Sequence, residues 1–141
     1  MPRISKNFTF EEFTASDTAK KHGILNAITD WDVRDNIIAL VENLLQPLRD
    51  AWKKPLTINS GYRNEELNKL VGGVETSQHR TGQAADVGCN KPLELARLLL
   101  KLGLTFDQAI VYTTFLHLSY RDDGENRMQL LYAPSYKGKK L

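Results

Sequence analysis

Ser77-Gln78-His79-Arg80-Thr81-Gly82-Gln83-Ala84-Ala85-Asp86 leads from a glycine-opened loop into a run of small residues. The loop starts at Gly72-Gly73 and delivers His79. Gly82, with Ala84 and Ala85 just after it, lets the backbone turn tightly and pack closely around whatever the polar side chains hold. From Gln83 to Cys89 the chain reads as a buried strand that carries Asp86 between Ala85 and Val87. Between Asp86 and the next histidine in an apolar setting, His117, there is room for one helix and a returning strand.

The flanking elements follow the same periodicities. Upstream, Ile37, Leu40, Val41, Leu44, Leu45 and Leu48 recur at spacings of three and four, which predicts a helix from Trp31 to Trp52. Thr29 with Asp32 predicts a capping box at its start, and Pro47 predicts a kink or a division near its last turn. The first thirty residues predict one short helix, with Phe8, Phe10 and Phe13 turned to a core. Leu56 to Ser60 has strand character, and Asn64 to Leu70 suits a short helix. Downstream, Pro92 to Leu102 reads as a helix with proline in its first turn and Gly103 past its end. Phe106–Tyr112, Phe115–Tyr120 and Met128–Tyr132 alternate as strands do. Helices come first and strands cluster last, so the expected class is α+β: one domain over residues 1–141, with N-terminal helices packed on one side of a small antiparallel or mixed sheet.

Bulk properties exclude several classes. The chain has 141 residues, 41% hydrophobic and 26% charged, enough for one core and too few for two ordinary ones. A net charge of +2 with acids and bases interspersed gives no nucleic-acid signature. The basic tail at residues 137–141 reads as a solvated end. The lone cysteine, Cys89, has no intramolecular partner and reads as a buried, inert thiol. Nothing approaches the ~18 apolar residues of a membrane span. Met1 to Asn7 lacks the apolar core of a signal peptide, so the expectation is cytoplasmic synthesis without that export signal. A monomer is the default.

Three histidines occur. His22, beside Lys20, Lys21 and Gly23, reads as a surface residue. A lone histidine in an apolar strand such as Phe115-Leu116-His117-Leu118-Ser119 is more often structural than a ligand, and an aspartate between apolar neighbours most often anchors a turn. Taken together, His79, Asp86 and His117 need partners once buried, and a metal ion satisfies several such groups at once. Two imidazoles and one carboxylate match the three-ligand set of catalytic zinc sites, which keep a fourth position open. The inventory permits that set; spacing alone leaves the structural readings open.

Two motifs carry a family resemblance: Ser60-Gly61-Tyr62-Arg63, and Ser77-x-His79-x-x-Gly82-x-Ala84-x-Asp86 followed by His117 in a strand. From about Phe8 to Tyr132 the chain resembles the zinc D-alanyl-D-alanine carboxypeptidases and phage-type peptidoglycan endopeptidases that share the fold of the hedgehog signalling domain. The resemblance implies a hydrolase, a metallopeptidase with His79, Asp86 and His117 holding Zn2+. It also implies that Arg63, with Ser77 beside the substrate, faces a carboxylate or developing oxyanion, and that the partners are peptidoglycan stem peptides. It further suggests a phage or prophage lysis enzyme (endolysin) acting at the cell wall or periplasm after release, or as part of a phage particle. Without the motif, Arg63 would read as a surface partner of Glu65 or Glu66.

One departure bears on catalysis. Many members of that family carry an acid three positions before the last histidine; here the position is Thr114, and Phe115 stands where tryptophan is frequent. Threonine is no base near neutral pH, so the general base is left unassigned, with Asp107 a weak candidate and Asp122, Asp123 and Glu125 others. Two alternatives to an active enzyme follow: a catalytically inactive, zinc-containing peptidoglycan-binding module, and a metal-free structural domain of a prophage particle.

Overall fold

The computed structural model describes residues 3–141. Met1 and Pro2, which begin the stretch read above for a leader, lie outside the described residues. The chain opens with a small hairpin, β1 (Arg3–Ser5) and β2 (Phe8–Thr9), followed by α1 (Phe10–Thr14) and α2 (Asp17–Lys21). Two short helices and a hairpin therefore replace the single short helix expected. Each helix is set by its own N-cap: Thr9 and Glu12 form a reciprocal capping box on α1, and the Ser16 hydroxyl accepts from the Ala19 amide on α2. Phe8 and Phe13 are buried as expected, and Phe10 is half-buried with the Arg34 guanidinium over its ring.

The long helical run is present, and it is divided just ahead of Pro47, by a widened turn and without a break in the helical backbone. It runs as α3 (Trp31–Leu40), one π-helical turn over Val41–Leu45, and α4 (Gln46–Trp52). Proline has no N–H for the carbonyl four residues back and crowds it. The widened turn just before Pro47 absorbs this: the Gln46 amide bonds back to Val41, and the Asn43 side-chain amide satisfies the Ala39 carbonyl at 2.9 Å. The start of α3 also differs from expectation. Asp30, not Thr29, is the N-cap, its carboxylate accepting from the Asp32 amide at 2.8 Å.

Five strands form the main sheet, in the order β3-β4-β6-β5-β7. They are β3 (Thr57–Ser60), β4 (Ala84–Gly88), β5 (Gln108–Val111), β6 (Phe115–Ser119) and β7 (Gln129–Tyr132). All neighbours are antiparallel except β5 and β7, which run parallel, so the sheet is mixed. Helices α5 (Glu65–Leu70) and α6 (Pro92–Leu102) complete the α+β fold. Pro92 at the start of α6 and Gly103 in the left-handed region at its end fix the helix as the sequence indicates.

Strand alternation separates two faces. Ala85 and Val87 of β4, Leu116 and Leu118 of β6, and Ala109 and Val111 of β5 enter one core with Ile37, Leu40, Leu44 and Leu48 of the long helix and Leu95 and Leu99 of α6. The residues between them, Asp86, His117, Ile110 and Gly88, belong to the other face. That face is where the polar groups collect. Among the described residues, no helix is long and apolar enough to cross a membrane.

Candidate metal centre

Asp86 and His117 are direct cross-strand partners on β4 and β6, which brings the histidine Nδ1 to 2.8 Å from the aspartate Oδ1. His79 comes from the loop ahead of β4 and puts its Nε2 3.3 Å from the same Oδ1. The three potential ligand atoms all lie within 4.8 Å of one another, and the two imidazoles meet at 5.1 Å between ring centroids. His79 is buried, while Asp86 and His117 keep a small opening to solvent. Burial pushes the Asp86 carboxyl up, but the hydrogen bonds with His117 and His79 outweigh it and hold the group well below the usual carboxylate range.

The loop has reasons to deliver His79 there. Gly82 has φ +77°, and a Cβ on it would stand 2.7 Å from the Val33 carbonyl oxygen and 2.9 Å from Ile37 of α3, so both backbone and space require glycine. The Ser77 hydroxyl accepts from the His79 amide, and the Arg63 amide bonds to the His79 carbonyl at 3.0 Å. The Nδ1 of His79 lies 2.7 Å from the Gly61 carbonyl oxygen. A carbonyl oxygen only accepts, so Nδ1 carries the proton and Nε2 is turned toward Asp86.

That geometry tests the set for a cation. A neutral His79 directs an Nε2 lone pair at a carboxylate oxygen, an arrangement that needs either a proton or a cation between them. A buried, convergent set of two imidazoles and one carboxylate, with the far nitrogen of one ring tied to a backbone carbonyl, has the composition and outer bonding of a zinc site. The residues fit a divalent ion.

Arg63 follows β3 and has its guanidinium NH2 3.4 Å from the Ser77 hydroxyl, while its Nε is buried without a protein partner. Burial lowers its pKa, against the opposing pull of Asp86 and Tyr112. Arg63 forms no ion pair with Glu65 or Glu66 among the described residues. Its segment is clamped by Asn26, which is 6% exposed, donates to the carbonyls of Thr14 and Tyr62, and accepts from the Asn64 amide.

The candidate bases fare differently. Asp107 is fully buried, with Arg127 donating to both of its oxygens and Gln78 adding a bond at 2.8 Å. The Arg127 bonds, only partly opposed by burial, hold it far below the usual carboxylate range. Such a carboxylate anchors the loop through Gln78, and each of its oxygens already accepts two hydrogen bonds. Asp122 borders a groove shared with Asp35 and Glu42 of the helical layer, and Asp123 pairs with Arg121 at 2.7 Å. Thr114 is exposed in the turn between β5 and β6.

Sequence reasoning passed over Asn26, the Gly61 carbonyl and Tyr112. Tyr112 stacks on Phe115 at 4.2 Å, and its phenol is pushed up by burial and by the Asp86 charge, with Arg63 opposing. The alternation Gln108, Ile110, Tyr112 was the available signal, since it continues the face that carries His117. Of the residues set aside, His22 is exposed as expected, and Cys89 is half-buried with its thiol pushed up by burial.

Fold and site together define an α+β domain with a candidate metal centre of two imidazoles and one carboxylate, and comparison with known proteins gives its family. Residues 6–119 match the family model described as Peptidase M15, and the chain belongs to that family. It is similar to the zinc D-Ala-D-Ala carboxypeptidase of Streptomyces albus G, 36% identical over 83 residues, or 58% of this chain. The match spans 31% of that relative's length.

Proposed function

We propose that the protein is a zinc-dependent peptidase that hydrolyses peptide bonds of bacterial peptidoglycan, with His79 through Nε2, Asp86 through its carboxylate and His117 through Nδ1 holding the ion. The observation that carries this reading is the convergence of those three side chains around Asp86 in a chain of a peptidase family. When bound, zinc supplies a Lewis acid that lowers the pKa of water toward ~7 and polarises a scissile carbonyl.

The protein's own groups supply the rest. The Nδ1–H bond to Gly61 keeps the His79 ring aimed. Arg63 is permanently charged and its terminal nitrogens make one side-chain hydrogen bond, to Ser77, so they grip a substrate carboxylate or the oxyanion that develops from the carbonyl. Ser77 steadies that guanidinium and stands beside the same substrate. Tyr112 offers a phenolic proton to the space near Asp86 and Arg63.

The finer part of the proposal is a phage-type lysis enzyme, supported by the helix that precedes Ser60, which resembles that of the short phage-type members. A second reading, a wall-binding module that keeps zinc but not hydrolysis, is favoured by Thr114, which is exposed and cannot replace an acid. One experiment separates them. Purified protein is analysed for metal and incubated with a defined muropeptide, with zinc or with chelator, and the products are weighed by mass spectrometry. The enzyme reading expects about one zinc per chain and a product that chelation abolishes. Loss of one D-alanine marks a carboxypeptidase and an internal cut an endopeptidase. Zinc without product overturns the enzyme reading, and retention on peptidoglycan then supports the binding module. A fall in turbidity when the protein is added to wall suspensions supports the lysis role.

A further inference from the structure

A separate concavity of about 700 Å³ lies at the end of the sheet where β3 begins and β4 ends. Its size suits a small ligand or one end of a larger one. Trp52, Lys54, Asn59, Gly88, Asn90 and Lys91 are among the residues lining it, and none of the lining residues is acidic. Lys54 and Lys91 are exposed and, among the described residues, make no ion pair. The Lys54 ammonium sits 5.5 Å from the centre of the Trp52 ring, which restricts where that long side chain goes. Two ammonium groups, two side-chain amides and several hydroxyls around one hollow, with no carboxylate to neutralise them, favour an anion.

The hollow and the metal centre share strand β4. Gly88 follows Asp86 by two residues on β4, so both belong to one face, about 7 Å apart along the strand. An extended peptide with its reacting bond at Asp86 and His117 reaches the hollow after about two residues.

We infer that this hollow is a specificity subsite that takes a free carboxylate of the peptide substrate, about two residues from the bond that is cut, through Lys54 and Lys91. The inference rests on the peptidase reading above and adds to it a substrate feature: a stem peptide with an ionised carboxylate at that distance is preferred over its carboxamide. The Asn59 and Asn90 amides supply further donors, and the Trp52 ring forms an apolar wall.

The test uses two pairs of stem peptides, one differing in whether the glutamate α-carboxyl is free or amidated, the other in the free or amidated side-chain carboxyl of diaminopimelate. In wild-type protein, amidation within at least one pair is expected to lower kcat/KM about tenfold, as for loss of one partly exposed charge-assisted contact. In the double variant Lys54→Gln/Lys91→Gln that ratio is expected to collapse to about one. Binding is read independently of turnover from Trp52 fluorescence in a Trp31→Phe background, where the carboxylate peptide should act at about one-tenth the concentration of its amide. Hydrolysis with no discrimination in either pair, or discrimination that survives in the double variant, overturns the subsite and leaves the peptidase reading standing. Fluorescence discrimination without hydrolysis of any peptide supports the subsite and sinks the peptidase reading instead.

Discussion

The Nδ1 of His79 donates to the carbonyl oxygen of Gly61 at 2.7 Å, so the buried ring of the cluster is aimed by a backbone atom at the exit of β3. Gly61 is itself pressed against α1: a Cβ there would lie 2.8 Å from the Phe13 Cα, and the neighbouring Tyr62 amide bonds to the Phe13 carbonyl at 2.7 Å. The N-terminal helix thus supports the metal centre through one peptide group. Gly61→Ala is expected to cost about 1–3 kcal/mol of stability through overpacking and to weaken zinc binding roughly 10–100-fold. Thermal melts and competition with a chromophoric chelator measure the two effects. Unchanged zinc affinity in a clearly destabilised variant would remove Gly61 from the support of the site.

His117→Ala and Asp86→Ala each leave two of three ligands. Zinc content after dialysis against a weak chelator should fall well below one per chain, with hydrolysis lost along with it. A variant that keeps full metal content refutes that residue's place in the set.

Arg63→Ala is expected to retain zinc yet lose about 10²–10³ in kcat/KM, the scale of removing one donor to a developing oxyanion. Arg63→Lys should recover only part of this, because an ammonium keeps the charge but lacks the two-pronged fork. Equal activity of the lysine variant and wild type would mean that charge alone is used.

Asp107 gives a pH dependence. Its folded pKa is depressed, so its stabilisation is fully present above the unfolded carboxylate pKa of ~3.9 and is lost as pH falls below that value. The stability gap between wild type and Asp107→Asn should be constant near neutrality and narrow below about pH 4. Denaturant titrations at a series of pH values follow it; a gap unchanged down to pH 3 contradicts the ion pair with Arg127. The same variant loosens the Gln78 anchor, so a modest loss of zinc affinity should accompany it.

Gly82→Ala combines a left-handed backbone with a clash against α3, and roughly 2–4 kcal/mol of destabilisation is expected, measured by denaturant unfolding. A change below 0.5 kcal/mol would show that the loop relaxes freely.

Much of the architecture was legible because periodicity and end signals agreed. Pro92 and Gly103 bracket α6, and the small residues Gly82, Ala84 and Ala85 announce the close-packed strand that carries Asp86. The metal residues were legible as residue types, but their meeting depends on the register of β4 against β6, and register is set by tertiary packing. The Gly61 carbonyl left no trace, since every residue owns one. Asp107 looked free because its partner, Arg127, is a residue of a distant turn. Pro47 foretold a disturbance, yet whether the helix bends or widens depends on Asn43 and on the packed leucines around it. The short elements before α3 escaped because caps a few residues apart, not an apolar stripe, define them.

The strand order carries a last implication. Asp86 and His117 occupy β4 and β6, each flanked on both sides, whereas β3 and β7 are the margins of the sheet. Margins fray first in a native protein's brief openings, and interior strands open last. Two of the three groups around the metal centre are therefore expected to exchange slowly, and their geometry should outlast partial melting of the periphery.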